Sequence, residues 1–316
     1  MRQRPGDELV VAVVGATATG KSDLAVDLAL ALGGEVVNAD AMQLYRGMDV
    51  GTAKLTLAER RGVPHHQLDV LTVRDEARVA VYQRQARADL AAIAGRGRVP
   101  VLAGGSGLYV RAVLDRLDIP PTDCHLRAEL EAELTAVGPA ALHARLAERD
   151  PVAAAAILPS NARRVIRALE VIVLTGRPFS ATLPVGEYVR PTVQLGLVAD
   201  RDDLDRRIAA RVGRMWAAGL VEEVRSLLPT GLREGRTASR ALGYAQVLAL
   251  LAGTCTDAEA REDTVRATRR FARRQESWFR RDPRIVWLPS GAADLLDRSL
   301  HAVRAAGETD GVGARP

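Results

Sequence analysis

The sequence predicts an α/β fold in which a parallel sheet flanked by helices is interrupted by an inserted all-helical domain. Three observations carry this. Short runs of buried-strand character alternate with amphipathic helical stretches in the first 118 residues and resume after 191. Between the first such run, residues 9–14, and the helix after it lies Gly15-Ala16-Thr17-Ala18-Thr19-Gly20-Lys21-Ser22, which fits the phosphate-binding pattern G-x-x-x-x-G-K-[ST]. From 119, where Pro120-Pro121 break the pattern, strand alternation disappears until 191. The core is therefore expected to be P-loop NTPase-like.

After the phosphate loop, Leu24, Leu28 and Leu32 recur at period four with Asp23 and Asp27 outward, the mark of a half-buried helix. Glycines let the loop wrap so that backbone N–H groups, at the positive end of that helix, point at an anion. Lys21 adds a point charge, and Ser22 a hydroxyl able to hold Mg²⁺. Residues 35–40 read as a second strand ending on Asp40. Ligands of open α/β sheets sit at the carboxyl ends of strands, so Asp40 is carried to the edge that holds the phosphate loop. By chemistry alone it could serve as a base, a Mg²⁺ ligand or a helix cap.

Residues 60–75 read as loop; the adjacent His65 and His66 point to different faces and are taken as turn and packing residues. A helix is expected over 79–94 and a third strand over 99–103, closing in Gly104-Gly105-Ser106-Gly107-Leu108-Tyr109. That strand lacks the terminal acid usual in P-loop ATPases, which weakens an ATPase reading. Within the insertion, helices are expected over 126–137, 140–149, 151–157 and 161–174. Beyond it come a strand over 193–198, helices over 201–228 and 244–252, and a last strand over 285–288. The expected organisation is a first core segment 1–118, the helical insertion 119–191, a second core segment 192–303, and a free tail 304–316.

The chain has 316 residues, no N-terminal apolar segment and no apolar run long enough to span a membrane, so a soluble, cytoplasmic protein with no membrane partner is expected. Cys124 and Cys255 read as reduced structural thiols. A net charge of +5 permits nucleic acid as a partner without requiring it. Of 44 basic residues only Lys21 and Lys54 are lysines, and the first sits where a compact ammonium is needed. Lys54 is singled out for a site role on that ground. Two segments concentrate arginine: Arg163, Arg164 and Arg167 on one helix, and residues 261–284, where Arg273 and Arg274 stand among Phe271, Trp278 and Phe279. Phosphate contact is the better reading of the second than a solvated face or a membrane-surface helix.

Together with the phosphate loop, the runs 38–54, 64–66, 104–109, 163–170, 239–246 and 268–278 resemble the bacterial tRNA dimethylallyltransferase (tRNA isopentenyltransferase) family over roughly residues 9 to 290. The resemblance implies transfer of a dimethylallyl group from dimethylallyl diphosphate to N6 of the adenosine 3′-adjacent to the anticodon, releasing diphosphate. It implies that residues 15–22 hold the leaving diphosphate, with Mg²⁺ on Ser22, and that Asp40, Ser106 and Arg240 are catalytic. Contact with the tRNA anticodon stem-loop is implied for Asp40, Ala41, Met42, Gln43, Arg127, Arg163, Arg164, Arg167, Arg273 and Arg274, with Gln43 at the extruded base. A monomer is expected. Ala16, Ala41 and Ser106 stand where the family usually has Pro, Ser and Thr; Ser106 keeps the hydroxyl, whereas Ala41 cannot bond through its side chain. The alternatives are prenylation of a free adenine nucleotide and a P-loop small-molecule kinase, both of which leave the basic helical surfaces unexplained.

Overall fold

The computed structural model describes residues 9–182 and 186–312. In chain order its main elements are β1 (Val10–Gly15), α1 (Lys21–Leu32), β2 (Glu35–Asn38), β3 (His65–His66), α2 (Val79–Gly95), β4 (Pro100–Gly104), α3 (Gly107–Leu114), α4 (Cys124–Arg149), α5 (Pro151–Ala156), α6 (Ala162–Thr175), β5 (Thr192–Val198), α7 (Arg201–Ala217), α8 (Leu220–Leu227), α9 (Tyr244–Leu251), α10 (Asp257–Phe279), β6 (Ile285–Pro289) and α11 (Leu295–Val312). The strands pair in parallel throughout, in the order β3-β2-β4-β1-β5-β6.

The first strand in the sequence thus lies in the interior of the sheet. All six of its residues are buried, as its unbroken apolar run requires of a parallel strand covered on both faces. Val11 and Val13 join a core with Leu24 and Leu28 of α1, Leu195 and Leu197 of β5, and Val303 of α11. A separate cluster packs Ala272 of α10 with Ala16, Leu204 and Ile208. A third builds the segment after β2, through Tyr45 and Met48, onto Leu220, Val224 and Tyr244 of α8 and α9. Because β2, β4 and β1 are neighbours, their carboxyl ends release the Asp40 segment, the Gly104-Gly105-Ser106 loop and the phosphate loop side by side.

The chain divides into two compact units, a core unit up to Leu114 and from Arg190, and a helical unit Asp115–Val189. In the helical unit, Gly138 (φ 81, ψ 168) breaks α4 just before Pro139, so the two stretches expected as separate helices are two helices across a kink. Leu130, Leu142, Leu146, Ile157, Val165 and Leu169 form its core. The buried Asp150 ties it together, accepting from Ala153 N at 2.9 Å and Ser180 N at 2.8 Å.

Two expectations fail. His65 and His66 form the edge strand β3 through Val36↔His65 and Val37↔His66, where two residues are too few to show a period. His66 Nε2 meets the buried Glu35 at 2.7 Å. The expected tail is also shorter, because α11 packs Leu295, Leu296 and Leu300 on the α1 core and stays helical to Val312; residues 313–316 lie outside the described ones. Among the described residues no helix is long and apolar enough to cross a membrane.

Candidate active site

The phosphate loop begins at Gly15, whose φ of 136° and close approach to β5 both demand glycine: a Cβ would lie 2.6 Å from Leu197 O. Ala18 (φ 64) and Gly20 (φ 84) then adopt left-handed conformations, the alternation that turns successive amides into an anion-binding concavity. No side chain caps α1, so its first N–H groups stay open to a ligand. Thr19 Oγ1 donates to Ala16 O at 2.9 Å, and Lys21 Nζ donates to the same carbonyl. Burial, then the nearby Arg211 guanidinium, lower the Lys21 ammonium to about 7, with the Asp40 charge opposing them.

Asp40 follows β2 in a segment held by Asn38. The buried Asn38 side chain accepts from Asp40 N at 2.9 Å and donates to Asp40 O at 3.0 Å and Gln67 O at 2.9 Å. Asp40 Oδ1 accepts from Met42 N at 2.9 Å, while Oδ2 has no hydrogen bond among the described residues. Ser106 locks this segment to the loop after β4: its Oγ accepts from Ala41 N at 3.1 Å and its N donates to Ala39 O at 3.3 Å. With Oγ already accepting, the hydroxyl hydrogen is left to donate to a ligand. The approach is close enough that a Cβ on Gly104 would sit 2.3 Å from the Ala39 backbone. Tyr82 OH donates to Asn38 O at 2.8 Å, and its ring lies 4.7 Å from that of Tyr109. Both phenols are raised, by burial first, with the Asp40 charge adding to it.

Asp40, Ser106 and Lys21 are therefore brought together as expected from the sequence. Ala41 contributes its backbone N–H alone. Gln43 Nε2 is taken by Thr52 O at 3.2 Å, which leaves Oε1 as the end able to read a base. Arg240 is exposed at the end of the short 3-10 turn Ala238–Arg240 that precedes α9, with no hydrogen bond from its side chain among the described residues. Arg127 and Arg167 both reach Glu170 Oε2 at 2.7 Å, and Arg167 also bonds Pro120 O and Pro121 O. Burial would raise the Glu170 carboxyl, but the hydrogen bonds from Arg127, Arg167 and Asp123 N outweigh it and hold it below its usual range. Arg163, Arg164 and Arg273 are exposed and form no ion pair among the described residues, whereas Arg274 lies 5.8 Å over the Phe271 ring.

Lys54 is a structural residue: its buried Nζ meets Asp49 and Asp69 at 2.6 Å each and Tyr45 O at 2.8 Å. Its isolation among arginines is explained by a buried three-way junction that a planar fork would not fit. The sequence reading missed Arg211, which belongs to no motif. It sits on α7 close enough to Lys21 to help lower that ammonium and close enough to Asp40 for the carboxylate charge to favour its own guanidinium, and it donates to Thr52 O at 3.2 Å. It also missed Gln275, which lies inside a quoted motif.

Among the described residues no group of three or more His, Cys, Asp and Glu could hold a metal. What the cradle offers is the Ser22 hydroxyl at the start of α1. That donor set fits Mg²⁺ only in company with substrate phosphates and water, the arrangement this ion favours.

A parallel sheet with a phosphate loop at its carboxyl edge, a carboxylate in electrostatic reach of the loop lysine, and paired glycines where a strand-end acid is usual defines a P-loop protein whose cradle is built to hold phosphate. More particularly, the chain belongs to the IPP transferase family, whose model matches residues 43–282. It is 66% identical over 299 residues to a tRNA dimethylallyltransferase of Thermobifida fusca, covering 93% of this chain and 94% of the relative. A full-length tRNA isopentenylpyrophosphate transferase from Bacillus halodurans superposes with a TM-score of 0.70 at 40% identity, over 96% of this chain and 98% of that one. The fold is also that of a eukaryotic dimethylallyltransferase acting on tRNA, with a TM-score of 0.81 at 24% identity, over 98% of this chain and 80% of the other.

Proposed function

We propose that this chain transfers the dimethylallyl group of dimethylallyl diphosphate to N6 of the adenosine 3′-adjacent to the anticodon in tRNA and releases diphosphate. The observation that carries the reading is the tie between Ser106 and the Ala39-Asp40-Ala41 segment, which fixes a carboxylate beside a phosphate cradle. The relatives' names agree with it.

Adenine N6 is a poor nucleophile because its lone pair is delocalised into the ring. As the N6–C1 bond forms, Asp40 accepts the N6 proton through the oxygen left free of Met42 N. The allylic C1–O bond breaks and its electron pair leaves with the diphosphate. The negative charge gained there falls on the loop amides, the Lys21 ammonium and the Ser106 hydroxyl, with Arg211 adding positive potential. Ser22, together with the diphosphate, would hold Mg²⁺, which would supply further charge neutralisation. Arg163, Arg164 and Arg273, exposed without ion pairs, suit RNA phosphates.

The test is incubation of the protein with isotope-labelled dimethylallyl diphosphate, Mg²⁺ and either unmodified tRNA or AMP, followed by nucleoside mass spectrometry. Label on the single adenosine beside the anticodon, with AMP untouched, is expected. Label on AMP alone would move the assignment to a free-nucleotide prenyltransferase.

A further inference from the structure

Gln275 stands among the basic residues of α10 yet is only 6% exposed. Its Oε1 accepts from Thr17 N and its Nε2 donates to Gly105 O, each at 2.9 Å. One planar amide therefore spans the phosphate loop and the Ser106 loop. The ladder between β1 and β4 ends at Val14↔Gly104. Beyond that pair, no other hydrogen bond among the described residues joins 16–22 directly to 105–107. Gly105 is matched to this bridge, since a Cβ there would lie 2.3 Å from Gln275 Nε2. The bridge also occupies the Thr17 amide, which is thereby spoken for before any ligand arrives.

We propose that Gln275 is a positioning residue for the transfer: it fixes the distance between the loop that holds the departing diphosphate and the loop whose Ser106 carries the Asp40 segment. This rests on the function proposed above. Charge stabilisation during C–O cleavage needs donors from both loops at one set of distances, and displacement of about 1 Å is enough to cost on the order of 100-fold in rate. Attraction of an RNA backbone by Arg273 and Arg274 needs no such registration, because both long side chains are exposed on α10 and can adjust to the phosphate they meet.

Two variants test this. Gln275→Met keeps length and removes both hydrogen bonds. It is expected to lower kcat roughly 10- to 100-fold and raise KM for dimethylallyl diphosphate, while Kd for tRNA stays within about twofold of the parent. Gln275→Glu keeps the acceptor for Thr17 N but sets a carboxylate against Gly105 O; protonation restores a donor there. Its rate divided by that of the parent protein should therefore rise as pH falls from 8 to 6, by about tenfold. A charge at 275 also shifts the Lys21 ammonium, so the ratio is taken at saturating dimethylallyl diphosphate, whose charge holds Lys21 protonated in both proteins. A ratio independent of pH, or Gln275→Met with parental kcat and KM, would overturn the inference. So would losses in diphosphate and tRNA affinity that simply track a lowered melting temperature. Should Gln275→Met fail to fold, the pH ratio of Gln275→Glu decides alone. If the parent protein itself transfers no label, the function reading has failed; parental transfer with a silent Gln275 sinks only the bridge.

Discussion

The phosphate end of the core unit and the basic face of the helical unit hold their polar groups by opposite means. At the phosphate end, Asp40, Ser106 and Thr17 are placed by hydrogen bonds to backbone across three strand ends, with glycines cleared so that main chains touch. In the helical unit, Arg127 and Arg167 share one buried carboxylate, Glu170, with Arg167 also held by Pro120 O and Pro121 O, and Arg163 and Arg164 are placed by nothing beyond their helix. Distances must be set before a bond can break, whereas attraction of a polyanion tolerates long, mobile side chains. One end is built for geometry and the other for charge.

Asp40→Asn strikes the geometric end hardest. It should lower transfer about 1,000-fold while tRNA affinity is retained, measured by single-turnover transfer beside filter binding. Near-normal turnover would remove Asp40 from the proton path. Lys21→Met should cost about 100-fold in the same assay and raise KM for dimethylallyl diphosphate. The lowered Lys21 adds a pH signature. Its ammonium is at about 7 in the free protein, and the diphosphate charge draws it back up, so above pH 7 binding takes up a proton. Calorimetry at pH 8 in two buffers of different ionisation enthalpy should show an uptake of up to about one proton, lost in Lys21→Met. An equal uptake in that variant would assign the proton to another group.

In the helical unit, Glu170→Ala leaves two guanidiniums without their buried partner and should destabilise that unit by about 3 kcal/mol in denaturant melts. Diphosphate affinity should stay unchanged, and a parallel loss there would blur the division between the two ends. The smallest effect is expected from Arg163→Ala with Arg164→Ala. Together they should weaken tRNA binding several-fold and reduce the salt slope by about two, with kcat untouched. An unchanged slope would take these residues off the phosphate path.

Much of this was legible in the sequence, and the limits follow from range. The phosphate loop is local, eight residues between a strand and a helix, and Asp40 follows from a strand that must end at the same edge. The kinked helix pair of the insertion was visible in the flanks of Gly138-Pro139. Gln275 was not, because its partners lie far away in the chain, at Thr17 and Gly105, and no period relates them. Lys54 was misread for the same reason: rarity marked it, but Asp69 and Tyr45, which explain it, are brought there by the fold. Arg211 is one arginine among many on α7, and only its place beside Lys21 and Asp40, which the fold sets, distinguishes it. Ser106 shows the intermediate case. Its hydroxyl was recognised, but that it acts through Ala41 N, rescuing a position whose own side chain cannot bond, is a fact of tertiary contact.

The interior place of β1 has a consequence for how the chain is made. Val11 pairs with Val101 on one side and Val193 on the other. As the nascent chain emerges, β1 gains its β4 neighbour early but waits for β5 until the whole of Asp115–Val189 has been synthesised. That helical unit, closed through contacts within its own span, is complete while the half-made sheet still shows a bare strand edge. An open parallel edge is a template for wrong partners. The interval in which the ribosome threads out the insertion is thus the period of greatest exposure to mispairing, and it ends when Val193 docks beside Val11.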